Sequence, residues 1–373
     1  MRKKIVIVVG FYPMIKGGAE YQMRIIADAL KKHFDIVFVY IGDAPSSPVE
    51  KTVMKMIEGY KVYKIKTGSK IDRYFAWYFL SRRIKRIIKK EQPDIVYQRV
   101  LKIMSFYLAK FQKELNYKFF IHIADLYSIT FDNGIKDKLK KKLFDNICKT
   151  KTEFIVQTEE QNQIIQKLGR TPILQMYNLH PVTNVSKETL QKKQKDSVKN
   201  IVWVANIKPI KQLDVVVKLA KYFLNNEKIH FTIIGNVQEE SYAAPFLTKM
   251  NSLPNVTHYT GKDNLFINKF LEEQAHLVIN TSVCEGFSNV FIQGWLKGVP
   301  VYSLNSNPDS LFDKYPILGK DFMNSYEEMK EEIAKFSNSD FNIEDSMRCF
   351  NLAQKLFHVD DNIYKLKNIL ETR

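Results

Sequence analysis

The sequence predicts an α/β protein built from two doubly wound sheets, on three observations. Short continuous apolar runs alternate with helical periods through residues 5–156; the same alternation restarts at residue 201; and a polar, Lys- and Gln-rich stretch, residues 181–200, parts the two series. Continuous apolar runs suit parallel strands covered on both faces, whereas half-exposed antiparallel strands alternate. At 373 residues the chain is long for one domain and ordinary for two.

The elements follow in order. Met1-Arg2-Lys3-Lys4 and the apolar run after them imitate a signal peptide, but the run is short and breaks at Gly10-Phe11-Tyr12-Pro13. It therefore reads as a buried first strand, residues 5–9. A helix at 19–32 follows, then strands at 36–40, 62–65, 95–97, 119–123 and 154–156 with helical stretches between them. After the linker come strands at 201–204, 231–234, 256–259, 277–279 and 300–302, helices at 213–224, 264–274 and 290–297, and a final helix at 360–370. The expected organisation is a first domain 1–180, a linker 181–200, a second domain 201–355 and a C-terminal helix 356–373 returning toward the first domain. In such sheets a ligand sits at the strands' carboxyl ends, here expected where the two domains face a central cleft.

Composition narrows the function. No apolar run reaches the roughly 18 residues a spanning helix needs. Cys148, Cys284 and Cys349 are odd in number and far apart, without metal spacing or a disulfide framework, which makes a reducing cytoplasm the expectation. The net charge of +17 is one-sided: residues 1–190 hold 35 Lys+Arg against 18 Asp+Glu, and the remainder is balanced. Residues 77–91 set Leu80, Ile84, Ile87 and Ile88 among Arg82, Arg83, Lys85, Arg86, Lys89 and Lys90; residues 136–151 set Leu139, Leu143, Phe144 and Ile147 among lysines. Two readings stay open for these patterns: solvated outer faces of sheet-packed helices, or basic amphipathic helices lying on acidic lipid headgroups. Charge alone permits nucleic acid, but there is no zinc-finger spacing, aromatic-rich signature or basic tail, so none is expected as a partner.

Chemistry concentrates in three places. Thr281-Ser282-Val283-Cys284-Glu285-Gly286-Phe287-Ser288-Asn289-Val290 puts a carboxylate and a glycine between a strand and a helix that carries Gln293, with a Gly298-Val299-Pro300 turn beyond. Free amides at that helix start suit a diphosphate; the plain alternative is a crossover whose glutamate caps the helix. Tyr12-Pro13-Met14-Ile15-Lys16-Gly17-Gly18-Ala19-Glu20 follows the first strand, its glycines letting the main chain close on a ligand. Val202-Trp203-Val204-Ala205-Asn206-Ile207-Lys208-Pro209-Ile210-Lys211 ends the first strand of the second half.

These residues resemble the signature of the retaining GT-B glycosyltransferases often called family 4, or group 1, in which a Glu, seven residues and a second Glu bracket the donor. The resemblance implies that Glu285 contacts the transferred sugar. It implies that Lys211 and the main chain at Gly286, Phe287, Ser288, Asn289 and Val290 hold the diphosphate, and that Gly17 and Gly18 approach the donor phosphate or the acceptor. Two positions depart from the pattern. Gln293 stands where the second Glu would, able to bond a ribose hydroxyl but neutral, and Asn206 stands where an Arg is usual, removing a charge from the phosphate clamp. Asp125 matches the carboxylate of the family's His-Asp pair; Ala124 takes the histidine's place, with His122 two residues earlier on the same strand face but deeper, open to two readings, a site residue or a buried histidine with a hydrogen bond.

The resemblance further implies two Rossmann-like domains and retaining transfer of a hexosyl group from a nucleotide-sugar, a UDP-sugar first, to a glycan or polyprenyl-diphosphate-linked acceptor, as in bacterial surface-polysaccharide assembly. No cofactor and no metal are expected, because no acidic pair has the spacing to chelate a divalent ion. The implied setting is cytoplasmic and peripheral on the inner membrane face. A same-fold epimerase or hydrolase, and a catalytically idle nucleotide-sugar-binding subunit, remain open alternatives.

Overall fold

Along β1 (Lys4–Val8) successive side chains enter different cores, Ile5 and Ile7 on one face and Val6 and Val8 on the other. That two-sided burial is what a continuous apolar strand demands. The computed structural model describes residues 2–15, 17–42, 52–66, 76–131, 134–181 and 184–372; Lys16 of the glycine-pair motif and linker residues Val182 and Thr183 lie outside them. The chain divides into two units, Met1–Pro181 with Val359–Arg373, and Val182–His358.

In the first unit β1 is flanked by β2 (Asp35–Gly42), and the sheet continues through β3 (Thr52–Ile57), β4 (Tyr60–Lys66), β5 (Ile95–Arg99), β6 (Lys118–His122), β7 (Glu153–Val156) and β8 (Leu174–Gln175) in the order β3-β4-β2-β1-β5-β6-β7-β8. All neighbours are parallel except the β3–β4 hairpin, which the sequence reading missed. β3 is an edge strand with Met54 and Met56 exposed, so it lacks the apolar run that marks its buried neighbours. Helix α1 (Gly18–Leu30) covers one face; α2 (Ala76–Glu91), α3 (Ile103–Leu115), α4 (Ile135–Cys148) and α5 (Glu159–Lys167) supply the other core.

This packing settles what the basic helical patterns do with their apolar stripes. Leu80, Ile84, Ile87 and Ile88 of α2, and Phe144 and Ile147 of α4, are buried in the sheet-facing core. They are not available to a lipid surface. The exposed apolar side chains sit instead near the helix starts: Trp77, Tyr78 and Phe79 on α2, Ile135 and Leu139 on α4.

The second unit holds α6 (Lys187–Gln194), β9 (Lys199–Val204), α7 (Leu213–Tyr222), β10 (Ile229–Ile234), α8 (Glu240–Asn251), β11 (Val256–Tyr259), α9 (Asn264–Glu273), β12 (Leu277–Asn280), α10 (Asn289–Trp295), β13 (Val301–Ser303), α11 (Leu311–Lys314), β14 (Gly319–Asp321), α12 (Tyr326–Asn338) and α13 (Ile343–Phe357). The sheet is wholly parallel, in the order β11-β10-β9-β12-β13-β14. Helices α7, α8 and α12 bury one face of it; α6, α9, α10 and α13 pack on one another. The chain then re-enters the first unit as α14 (Val359–Thr372), whose Leu366 and Leu370 share a core with Met23 and Ile26 of α1. The Lys3 ammonium bonds the Glu371 carbonyl at 2.6 Å.

The segment expected as linker, 181–200, is not one. Helix α6 lies inside it, started by Ser186 and packed into the second unit through Leu190 and Lys193, both 0% exposed. Its stripe holds one leucine and a lysine, so no apolar period announces it. The buried Lys193 ammonium lies 3.3 and 3.5 Å from the Glu272 and Leu271 carbonyls, at the negative end of α9. Burial pushes its pKa down to about 7.

Lys193 also shapes the behaviour of His276, which immediately precedes β12. His276 Nδ1 accepts from the Asn200 amide at 3.1 Å, so the ring proton sits on Nε2 and faces the Lys193 carbonyl at 3.3 Å. Burial, then Lys193 and Lys199, press the His276 pKa down to about 4; Asp196, 3.4 Å away but half-exposed, does not offset them. The unfolded chain protonates this histidine near pH 6.5 while the folded one refuses the proton until about 4. Stability is therefore whole above pH 6.5 and falls as pH drops through that window. Between pH 7 and 4.5 the wild type should lose about 2 kcal/mol more unfolding free energy than His276→Gln, in denaturant titrations. Equal losses would remove His276 from the account.

Candidate functional site

In the second unit two loops leave the carboxyl ends of neighbouring central strands. β9 and β12 run in register, Ile279 beside Trp203, so the loop 205–212 and the loop 281–288 emerge together. Thr281 ties them. Its hydroxyl accepts from the Trp203 indole at 3.0 Å and faces the carbonyls of Lys211 (2.8 Å) and Gln212 (3.1 Å), while the Val283 amide donates to the Ile210 carbonyl at 2.9 Å. On the next strand Gly235 presses against this bundle: a Cβ there would run into the Ala205 carbonyl oxygen. Only glycine allows that approach, which brings the loop carrying Asn206 close to the end of β10.

What the tied loops present is one carboxylate. Glu285 Oε1 forms an ion pair with the Lys211 ammonium and also accepts from Ser282 Oγ at 2.7 Å and Asn280 Nδ2 at 3.3 Å. Both side chains are mostly buried, with 19% of Lys211 and 13% of Glu285 exposed, so the pair is held at the rim rather than waving in solvent. The structure thus brings together the two residues that the resemblance assigned to sugar and diphosphate, 74 positions apart in the chain. Serine and asparagine partners of Glu285 were not anticipated; Ser282 lies within the motif and Asn280 immediately before it.

The remaining expected donor residues divide. Gly286, Ser288, Asn289 and Val290 are partly exposed around the start of α10, and Ser288 at the N-cap makes no side-chain cap bond. Phe287 is different: its ring is buried against Trp295 and Phe357, and its side chain anchors the loop instead of facing a ligand. Gln293 is 3% exposed, and its amide nitrogen donates to Asn264 Oδ1 (3.2 Å) and Asn268 Oδ1 (2.9 Å) of α9. That leaves its carbonyl oxygen as the atom with capacity for a ligand hydroxyl. Asn206 lies half-buried in the loop after β9, whose Ile207 amide bonds the Asn236 carbonyl.

In the first unit Gly17 is the N-cap of α1 and Gly18 its first residue. Their neighbourhood is occupied from within. The Glu20 carboxylate folds back so that a Cβ on Gly10 would meet its Oε1 at 2.7 Å, and one on Gly17 would collide with it too. The glycines make room for Glu20, a residue the motif reading passed over.

His122 lies buried inside the first unit. It is 0% exposed, with Nδ1 2.9 Å from the Tyr97 hydroxyl and 3.1 Å from Arg99 Nη1. Arg99 Nη1 also lies 3.3 Å from Nε2, so the cation faces both ring nitrogens and the ring is neutral. Burial, then the Arg99 charge, hold its pKa well below 6.5. Arg99 itself is 3% exposed, donates to Asn178 Oδ1 at 2.6 Å, and has its pKa lowered to about 10 by burial, so it stays charged at neutral pH. Sequence reasoning missed Arg99 and Asn178 because a lone arginine ending a strand carries no spacing signal. Asp125 stays half-exposed after β6, its carboxylate accepting from the Ser128 amide at 2.8 Å.

A family model described as glycosyl transferase 4-like matches residues 15–158. The structure is similar to HepE of Anabaena in complex with UDP and glucose, at 12% identity over 100% of both chains and a TM-score of 0.73. It is similar to sucrose-phosphate synthase of Thermosynechococcus elongatus, at 12% identity over 100% of this chain and 99% of that one, TM-score 0.77. It is also similar to TarM of S. aureus, at 14% identity over 99% of each chain, TM-score 0.74. No curated protein matches by sequence. The likeness establishes the fold, two parallel-sheet α/β domains of the GT-B type.

Proposed function

We propose that this GT-B protein, whose residues 15–158 match the glycosyl transferase 4-like family, is a retaining glycosyltransferase that takes a hexosyl group from a nucleoside-diphosphate sugar. The observation that carries the reading is the Lys211–Glu285 pair at the carboxyl ends of adjacent central strands. A cation and a carboxylate fixed together suit a reaction in which the departing diphosphate gains negative charge and the sugar carbon gains positive charge. UDP is the first donor nucleotide to examine, because HepE is seen with UDP and glucose. The leaving phosphate would take the acceptor's proton on the same face from which it departs. Lys211 supplies the fixed positive charge there, and no divalent ion is invoked.

The decisive experiment is a transfer assay with UDP-sugars and prenyl-diphosphate-linked or soluble glycan acceptors, run in excess EDTA, with the product anomer read by NMR. Glycoside product with the donor's configuration supports the reading. Donor turnover that yields only an epimer or free sugar, or transfer that stops in EDTA and returns with manganese, replaces it.

Gln293 gives a finer test. If its carbonyl oxygen takes a ribose hydroxyl, Gln293→Ala should weaken nucleotide binding by about 1–2 kcal/mol in calorimetric titration. Gln293→Glu should keep or improve it, since Asn264 and Asn268 can turn their amide nitrogens toward a carboxylate. An unchanged Kd for the alanine variant makes the residue structural.

The acceptor is proposed to be lipid-linked, reached at an acidic membrane surface. No helix among the described residues is long and apolar enough to cross a membrane. The support is the basic excess of the first half and the outward-facing Arg82, Arg86, Lys89 and Lys90 of α2. Basic residues near an acidic leaflet contribute roughly 1 kcal/mol each, screened over about 8–10 Å at physiological salt. The protein should float with phosphatidylglycerol vesicles, not with neutral ones, and be released by salt. Changing Arg82, Arg83, Arg86, Lys89 and Lys90 together to Gln should abolish most of that recovery. Equal, negligible recovery with both vesicle types would leave a soluble acceptor as the better reading.

A further inference from the structure

Three donors converge on a single oxygen of Glu285. The Lys211 ammonium, the Ser282 hydroxyl at 2.7 Å and the Asn280 amide at 3.3 Å all meet Oε1. None of the described residues hydrogen-bonds Oε2, and part of the side chain stays exposed. The carboxylate is held by one oxygen and offers the other.

The protons around it run in one direction. Asn280 ends β12 and is 9% exposed; Ser282 is 1% exposed. The Ser282 main-chain N–H donates to Asn280 Oδ1 at 3.2 Å, which assigns the amide's orientation and turns Nδ2 toward Ser282 Oγ, 3.2 Å away, and toward Glu285 Oε1. The serine oxygen accepts that N–H, so its own proton is committed to Glu285. Hydrogen bonds in such a chain polarise and strengthen one another. The next strand braces it from behind: the Leu304 amide donates to the Asn280 carbonyl at 2.8 Å, and Asn305 Nδ2 lies 3.4 Å from the Ser282 carbonyl.

Lys211 alone cannot choose between the two oxygens. An ammonium is a compact charge on a flexible stem and attracts either one. A buried hydroxyl and a buried amide at fixed places do choose. Nor does the loop need them for its own shape, because Thr281 and the Val283–Ile210 bond tie its main chain independently. We infer that Ser282 and Asn280 are positioning residues of the transfer site: they hold Glu285 by Oε1 so that Oε2 alone faces the bound sugar donor. Their part in turnover rests on the proposed glycosyltransferase reading; the fixed orientation of the carboxylate does not.

Ser282→Ala is expected to lower kcat by roughly tenfold or more and to change the donor's KM by less than about twofold, because the contact it aims is made in the transition state. The melting temperature should stay at the wild-type value. Asn280→Asp keeps an acceptor for the Ser282 amide but sets a second carboxylate against Oε1, and should cost at least as much turnover. In a Glu285→Ala background, Ser282→Ala should cost less than about twofold, since no carboxylate remains to be aimed. The full loss in that background, or a loss carried by KM, overturns the inference.

Crystal structures of the wild type and of Ser282→Ala read the geometry without any turnover. The Glu285 carboxylate should leave its place in the variant while the main chain of residues 280–286 superposes. An unmoved carboxylate overturns the inference, as does a loop that shifts as a whole, which would make the serine merely structural. A wild type that transfers no sugar sinks the glycosyltransferase reading alone, and the pair of structures still decides whether Ser282 positions Glu285.

Discussion

Glu285→Gln is expected to lower turnover by roughly 100-fold or more while leaving the protein folded, the scale of losing one preorganised electrostatic contact. The substitution removes charge and little else. Glu285 Oε1 is met by Lys211, Ser282 and Asn280, and an amide carbonyl oxygen in the same place accepts from all three. The loop is tied independently through Thr281, Trp203 and the Val283–Ile210 backbone bond, none of which involves the carboxylate. Steady-state rates with saturating donor, beside thermal unfolding of both proteins, make the measurement. A variant with an unchanged melting temperature and near-normal turnover would take Glu285 out of the reaction.

The parts of this protein that were legible in its sequence are those whose signal is local. β1, β2, β5, β6 and β7 announce themselves because both faces are buried and their central residues form short, mostly apolar runs. Helix α6 and strand β3 were missed for the opposite reason. One is fixed by a single leucine and a buried lysine that bonds another helix's end, the other is an edge with half its side chains in water. The motif around Glu285 was readable because strand end, glycine and helix start are contiguous. That Lys211 reaches Glu285 required the register of β9 on β12, which no single stretch of sequence contains.

The first unit shows where periodicity misleads. His122 shares its strand face with Ala124, which takes the place of the family's histidine, so alternation alone admits it to the site. What excludes it is burial among Tyr97 and Arg99 of the neighbouring strand, and Asn178 behind Arg99 comes from 56 residues further along the chain. The apolar stripe of α2 misled in the same way. A stripe of the right period says that a helix face is covered, and the structure shows that the sheet is what covers it. The aromatic residues left outside, near the helix start, break the period.

Lys211→Met is expected to reduce turnover by roughly 100- to 1000-fold and to raise the donor's KM, because on the proposed reading Lys211 supplies the fixed charge that faces the diphosphate. Asn206 occupies the second cation's place, and Lys208, the other cation of that loop, stands at a different offset. The backbone at Lys211 does not depend on its own side chain. The Thr281 hydroxyl bonds the Lys211 and Gln212 carbonyls, and the short turn Pro209–Lys211 is closed by main-chain bonds, so the variant should fold. Lys211→Arg keeps the charge but trades a compact ammonium for a planar fork, and should recover part of the loss. The sharper test is the double variant. If the ion pair acts as one device, Lys211→Met combined with Glu285→Gln should cost little more than the worse single change, since each already disables what the other provides. Losses that multiply instead would mean that the two residues act in separate steps, with the ion pair of the ligand-free protein holding each of them in place.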